Sequence, residues 1–428
     1  MRRRIVLHVL ILAVLISALP GLGTTGPAAR IGVLIHPTLY RATGGETGVI
    51  HEVAQRHGFQ IEVITATDQL VEKATVEWIA KSGRYDVVTI LDRDLHERHA
   101  AFLQPLDGFF DKVAPGYNAE DIIPSLMAVG RVPTGGPLVA IPFRAGVGLL
   151  FYRKDIFDQL RLQVPTTLTE LMETAKRIAE AKKDGKLDAF GLVQRAKDPF
   201  TAVEDFLRYL YAHGARVMDP ARRTCLLDRA EGVAAEKFLV DLVKSGAAPP
   251  DMVAYGRDEQ IVAFQQGRVA MTVGFSPYFG LFEDPRRSVV VGKTGFAPMP
   301  TARGVPLGRS LNSVWYLTMD KNSRNKDATW KVIEALTDPA NQTRMAIRFA
   351  NGPVRIGIYK SKQYIEDFPL ATVVLEAMRV STSESHVQWQ RMQDIIFEEH
   401  TSALLGRKAP EQAVETMCRR ITPLLSGR

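Results

Sequence analysis

Apolar positions along the chain change their period in a regular order. Ile31–Ile35 is a short, nearly unbroken apolar run and predicts a buried strand. Thr47–His57 then puts Val49, Ile50, Val53 and Ala54 on one helical face and stops at Gly58. Ile61–Ile64 predicts a second strand, Asp68–Ser82 an amphipathic helix carrying Trp78, and Tyr85–Leu91 a third strand. Strands starting near 31, 60 and 85 repeat at roughly the 30 residues of a βαβ unit. That spacing predicts a parallel sheet with right-handed crossovers, so the first part of the chain is α/β.

A Pro/Gly-rich passage from Pro133 to Gly148 follows, ending in the extended apolar run Leu149–Tyr152 and a polar helix start at Arg153-Lys-Asp155. After Pro165 a second alternating set begins: helices Thr169–Ala181, Thr201–His213, Arg229–Lys244 and Asp258–Gln266, and strands Phe190–Gln194 and Val269–Val273. From about Lys321 the pattern is almost all helical, over Lys326–Thr337, Asn341–Phe349, Pro369–Val380, Gln388–Leu405 and Pro410–Leu425. Two α/β lobes with helices packed late in the chain are expected.

The chain's start has a different character. Arg2, Arg3 and Arg4 precede an apolar run from Ile5 to Leu19, and small residues follow as far as Ala29. A basic stretch, a short apolar core and a small-residue tail predict a cleaved signal peptide over residues 1–29 and a periplasmic mature protein. The apolar run is short of the ~20 residues that span a bilayer, and no cysteine follows it to carry a lipid. Cys225 and Cys418 are the only cysteines. An oxidising compartment lets them pair, yet nothing in the sequence brings them together, and two separate buried thiols is the plainer expectation.

Composition narrows the function classes. The 428 residues are 46% hydrophobic and 24% charged, enough for two or three domains with real cores, which excludes a disordered or disulfide-stapled chain. The 54 basic and 47 acidic residues give a formal charge of +7. Loss of residues 1–29 removes three arginines and no acid, lowering the surplus from seven to four. The remaining charges are interspersed, as in Lys182-Lys-Asp184, so there is no basic stripe and no nucleic-acid partner is expected.

Enzyme signatures occur only in fragments. Gly292-Lys-Thr294 lacks the earlier glycine of a phosphate loop, where Arg287 stands. Gly44-Gly-Glu-Thr-Gly48 lacks the dinucleotide-binding spacing. Ser323-x-x-Lys326, Lys293-Thr-Gly295 and Ser310-x-Asn312 are the parts of a serine β-lactamase site in the wrong order. His96 and His99 flank Glu97 without a third metal ligand and are read as a solvated helix face. Tyr278 stands where a nucleophile elbow over Gly274–Tyr278 needs its last glycine. No catalytic set, cofactor motif or metal site results. Open α/β sheets bind ligands beyond the carboxyl ends of their strands. That rule selects His36 and Tyr40 after the first strand and Asp92 after the third. Aromatic faces with carboxylates and guanidiniums nearby suit a carbohydrate.

Several ordered pieces across the presumed mature chain resemble family 1 extracellular solute-binding proteins, the maltose-binding-like receptors of ATP-driven importers. They are Ala101-Phe-Leu-Gln-Pro-Leu-Asp107, Val147–Phe157 with Val164-Pro165-Thr166, and Ala263-Phe-Gln-Gln-Gly-Arg-Val-Ala-Met271. Pro298-Met-Pro300, Trp315 to Ser323, and Asn351-Gly-Pro-Val-Arg355 continue the series. The resemblance departs at Ser313-Val314, where relatives have Gly-Gly, and at Arg153, where they have Asn.

The resemblance implies a periplasmic-binding-protein-like α/β fold, with two lobes joined by three crossing segments around a cleft that closes by a hinge. It places the first lobe at 30–146 plus 277–349 and the second at 148–275 plus 352–428. It also implies a non-enzymatic, monomeric sugar or polyol receptor that delivers its ligand to ABC transporter permease subunits. Trp315, Tyr278, Phe275 and Tyr255 are the aromatics expected near the ligand. Arg144 and Arg355, if in the cleft, would admit an anionic group such as a phosphorylated polyol. Two other readings stay open: an exported hydrolase with an unrecognised site, and a ligand sensor for a signalling receptor.

Overall fold

A computed structural model describes residues 29–425 apart from 68, 220 and 222; the signal peptide expected over 1–29 lies, but for Ala29, outside the described residues. β1 (Arg30–Ile35) is buried at every position after Arg30, and β3 (Val87–Leu91) throughout, as strands covered on both faces must be. β2 (Gln60–Thr65) and β3 flank β1 in parallel, with the helices Val49–His57 and Leu70–Ala80 in the connections.

β4 runs over fourteen residues, Ala140–Arg153, and serves two sheets in turn. Its first half, Ala140–Val147, pairs antiparallel with β8 (Asn312–Met319), which also lies antiparallel to β3. Its second half, Gly148–Arg153, lies between β6 (Val269–Phe275) and β7 (Thr294–Pro298). β5 (Phe190–Val193) then pairs in parallel with β6. The strand order is β2-β1-β3-β8-β4-β6-β5, with β7 on β4, so two α/β lobes share one long strand.

Two other passages run beside that strand where it changes sheets. The Val147 N–H faces Ser276 Oγ at 3.4 Å, and the Ala145 N–H donates to the Gly352 carbonyl at 2.9 Å. Close approach explains the glycine at the junction. A Cβ on Gly148 would stand 2.4 Å from Ser310 Oγ and 3.4 Å from Arg208 Cδ.

The late helices divide between the lobes. Lys326–Thr337 packs on Val49–His57 and the first sheet, whereas Trp389–Leu404 and Pro410–Leu425 pack on Ala230–Lys244 and on each other. The expectation of two separate thiols is overturned. Cys225 and Cys418 form a disulfide, their Cα atoms 5.2 Å apart across 193 residues of sequence. Folding of the second lobe brings the last helix back over the segment before Ala230–Lys244, which sequence spacing does not reveal. His96 and His99 also differ from the solvated face expected of them. Their rings stack at 4.2 Å, and His96 is buried beside the Trp78 cluster. None of the described helices is long and apolar enough to cross a membrane.

Candidate ligand-binding site

The candidate residues stand at the carboxyl ends of β1, β3, β5 and β6: His36 follows β1, Arg93 follows β3, Gln194 follows β5 and Phe275 ends β6. Across the first sheet, strand register aligns Leu91, Trp315 and Arg144 in one row. His36 caps the helix Pro37–Ala42 and lies 5.4 Å from the Trp315 ring. On the second lobe Phe275 ends β6, and Tyr278 meets it edge-on at 6.3 Å. Arg208, from the helix Pro199–Ala212, lies over the Phe275 ring at 4.3 Å.

Behind these rings is a buried ionic cluster. Arg93 donates to Glu204 at 3.0 Å and lies over the Phe200 ring at 4.2 Å, joining the loop after β3 to the helix Pro199–Ala212 of the other lobe. Arg195 bonds Asp205 at 2.7 Å and Glu204 at 3.2 Å, and Arg208 also bonds Asp205. Opposed carboxylates keep these desolvated guanidiniums tolerable. Next to Asp92 a pocket of about 310 Å³ lies between His96 and Arg131 on one wall and Arg216 and Glu384 on the other. That is the lower end of ligand-sized cavities.

Burial drives the Asp92 carboxyl up to about 6, although Arg93 and hydrogen bonds, including one from the Arg93 N–H at 2.9 Å, pull the other way. An acid whose folded pKa is raised favours folding while protonated, below its unfolded pKa of 3.8, and loses that stability as pH rises through about 6. Asp92→Asn, neutral throughout, should therefore be more stable than wild type by about 1–3 kcal/mol at pH 7. The gap should close toward pH 4. Paired urea titrations of both proteins at pH 7.5 and 4.5 measure it, and a gap independent of pH contradicts the assignment.

Three residues selected from the sequence are placed otherwise. Tyr255 is buried, and its ring and hydroxyl face Arg268 and Asp251 at the far end of β6 from Phe275; only its carbonyl reaches the Ala196 and Lys197 amides. Arg355 is wholly buried, and it donates to the Thr337 and Asn118 carbonyls at 2.9 and 2.7 Å and covers the Tyr117 ring. It braces the first lobe and takes no place in the cleft. Tyr40 spends its hydroxyl on His51 Nε2 at 2.8 Å and packs against the first-lobe core. Sequence reasoning missed Gln194, Glu204, Asp205 and Arg208. The available signal was three charges at helical spacing inside a segment otherwise apolar enough to be buried all round.

The family described as bacterial extracellular solute-binding protein matches residues 45–343. A mannitol-binding protein of Pseudomonas aeruginosa is 28% identical over 328 residues, 74% of this chain and 71% of its own length. Maltose-bound MalE3 of T. maritima superposes with a TM-score of 0.79 at 25% identity, covering 93% of this chain and all of that one. An ABC transporter solute-binding protein of Agrobacterium radiobacter K84 in complex with ribitol gives a TM-score of 0.80 at 23% identity, covering 93% and 98%. With a two-lobed α/β fold, strand ends opening on one cleft and the family matching most of its length, the chain belongs to the bacterial extracellular solute-binding proteins.

Proposed function

We propose that the protein is the exported receptor of an ATP-driven importer, which holds a sugar or polyol between its lobes and passes it to a membrane permease. In this reading residues 1–29 are a cleaved signal peptide and the mature chain is a periplasmic monomer without a lipid anchor, a nucleic-acid partner or any chemistry on its ligand. One lobe is built around 30–146 and the other around 148–275, and they close on the solute by bending at the crossing segments. β7, expected in the first lobe, pairs with the second half of β4, and Arg355, expected in the second, is bonded to Asn118 and Thr337 of the first, so the later bounds depart from 277–349 and 352–428.

The observation that carries the reading is the meeting of Trp315 and Arg144 from one sheet with Phe275 and Tyr278 from the other. Aromatic faces take the C–H face of a sugar, and polar groups at their edges take its hydroxyls. The amide of Gln194, buried after β5, lacks a protein partner among the described residues and adds both a donor and an acceptor. The mannitol, maltose and ribitol named for similar proteins support the same ligand class.

A thermal-shift screen of the chain from Arg30 onward, against sugars, polyols and their phosphates, tests the proposal. A ligand at a hundred times its Kd stabilises the native state by about 2.7 kcal/mol, a readily measured rise in Tm. The solute should be recovered chemically unchanged; a converted product would establish the hydrolase instead. No shift with any compound sinks the carbohydrate assignment. Trp315→Ala should weaken the best ligand about tenfold by calorimetry.

A further inference from the structure

Arg144 differs from every other guanidinium of the cleft. Arg93, Arg195 and Arg208 each have a carboxylate partner. The Arg144 guanidinium makes no hydrogen bond or ion pair with any described residue, and its charge is felt by Arg41 on its own lobe and by Tyr278 and Arg257 on the other. Burial lowers its pKa to about 10, with Arg257 and Arg41 adding to the lowering, so it stays protonated at neutral pH. Arg208 is fully buried yet only half used. One nitrogen bonds Asp205, while Nε and Nη2 have no partner among the described residues. Along β4, Arg144, Gly146 and Gly148 stand at alternate positions on one face, where a Cβ on Gly146 would lie 3.7 Å from Phe275 Cβ and one on Gly148 3.4 Å from Arg208 Cδ, so Arg144 is on the face of the strand that meets Phe275 and Arg208.

Charge counting gives the sign of what is missing. Arg93, Arg195 and Arg208 share Glu204 and Asp205, and Arg216 has Glu384, whereas neither Arg144 nor Arg41, which acts on it, has a carboxylate partner among the described residues. Of these, Arg144 is the unmatched cation inside the cleft, and Arg41 adds to its charge rather than offsetting it. A neutral polyol can occupy donors but leaves that charge desolvated and uncompensated when the lobes close over it. An anionic oxygen group compensates the charge and accepts hydrogen bonds from a guanidinium fork.

Resting on the receptor reading, we infer that the solute bears one anionic group, a carboxylate or a phosphate, on its sugar or polyol frame, and that Arg144 and the free edge of Arg208 hold it. The anion binds beside Tyr278, and the rings of Trp315 and Phe275 take the carbon frame. Arg144 is thereby the residue that selects charged solutes over neutral ones.

Calorimetry with matched compounds tests this: mannitol and galactose as neutral probes, gluconate and galacturonate for the carboxylate, mannitol 1-phosphate and galactose 6-phosphate for the phosphate. One anionic pair should bind about ten- to a hundredfold more tightly than its neutral counterpart, and which pair does so identifies the group. In Arg144→Met the preference should fall to near parity. Arg144→Lys, which keeps the charge without the fork, should retain part of it and serves if the Met variant does not fold. Neutral probes binding as tightly as anions overturn the inference and leave the receptor standing. Binding by neither class overturns both, and an Arg144→Met protein that keeps the full preference removes Arg144 from the role.

Discussion

Asp205→Asn should lower the free energy of unfolding by about 3–5 kcal/mol, the cost of leaving buried cations without their counter-ion. Asp205 is 2% exposed, and it accepts the Arg195 backbone N–H at 2.6 Å, Arg195 Nη2 at 2.7 Å and an Arg208 nitrogen. Burial works against the Arg195 charge, but Asp205, Tyr278 and Glu204 together outweigh it and hold the guanidinium above its ordinary pKa. With an amide at position 205, two desolvated guanidiniums depend on Glu204 alone, which already serves Arg93. Urea unfolding should show a lower midpoint at an unchanged m-value. Adding Arg208→Met should recover part of the loss, because neighbours that share a partner are not additive. A loss under 1 kcal/mol would mean that the cluster contributes little to folding.

Replacing both Cys225 and Cys418 with Ser should cost about 2–4 kcal/mol, because the cross-link closes a loop of 193 residues and long loops leave most freedom to the unfolded chain. The effect belongs to the second lobe, where the last helix, Pro410–Leu425, lies against Ala230–Lys244. Calorimetric melting of the oxidised protein, the reduced protein and the double variant decides it. The reduced and double-Ser proteins should melt together, below the oxidised one. Coincidence of all three curves would show the bond to be thermodynamically silent.

How far the sequence led is clearest from particular elements. Lys326–Thr337 and Pro410–Leu425 are read to the residue, since their apolar stripes keep the helical period from end to end. β4 is read only in its last third, because Pro142, Gly146 and Gly148 resemble a loop. In the fold the strand tolerates Pro142 through a register shift against β8 between Pro142 and Arg144, a bulge that a single sequence does not announce.

Within the cleft, Phe275 and Tyr278 are legible because one ends a strand and the other closely follows it. Glu204, Asp205 and Arg208 are not, because charges on a helix read as its wet face until a second lobe covers them. Tyr255 misleads for a geometric reason: its backbone touches the end of β5 while its side chain reaches back along β6. Arg355 misleads through distance, since its partners at 118 and 337 are met only in the fold.

The place of β8 has a consequence for the order of events in the cell. It is the strand between β3 and β4, yet it is made after almost three quarters of the chain. Until Met319 has been synthesised, β3 and the first half of β4 have no strand between them, and the first lobe's sheet stays in two parts. Pairings between residues so far apart in sequence form late and slowly. Under the export proposed above, a polypeptide passing unfolded through a translocation channel gains time from that delay, because its first lobe cannot close before most of the chain exists.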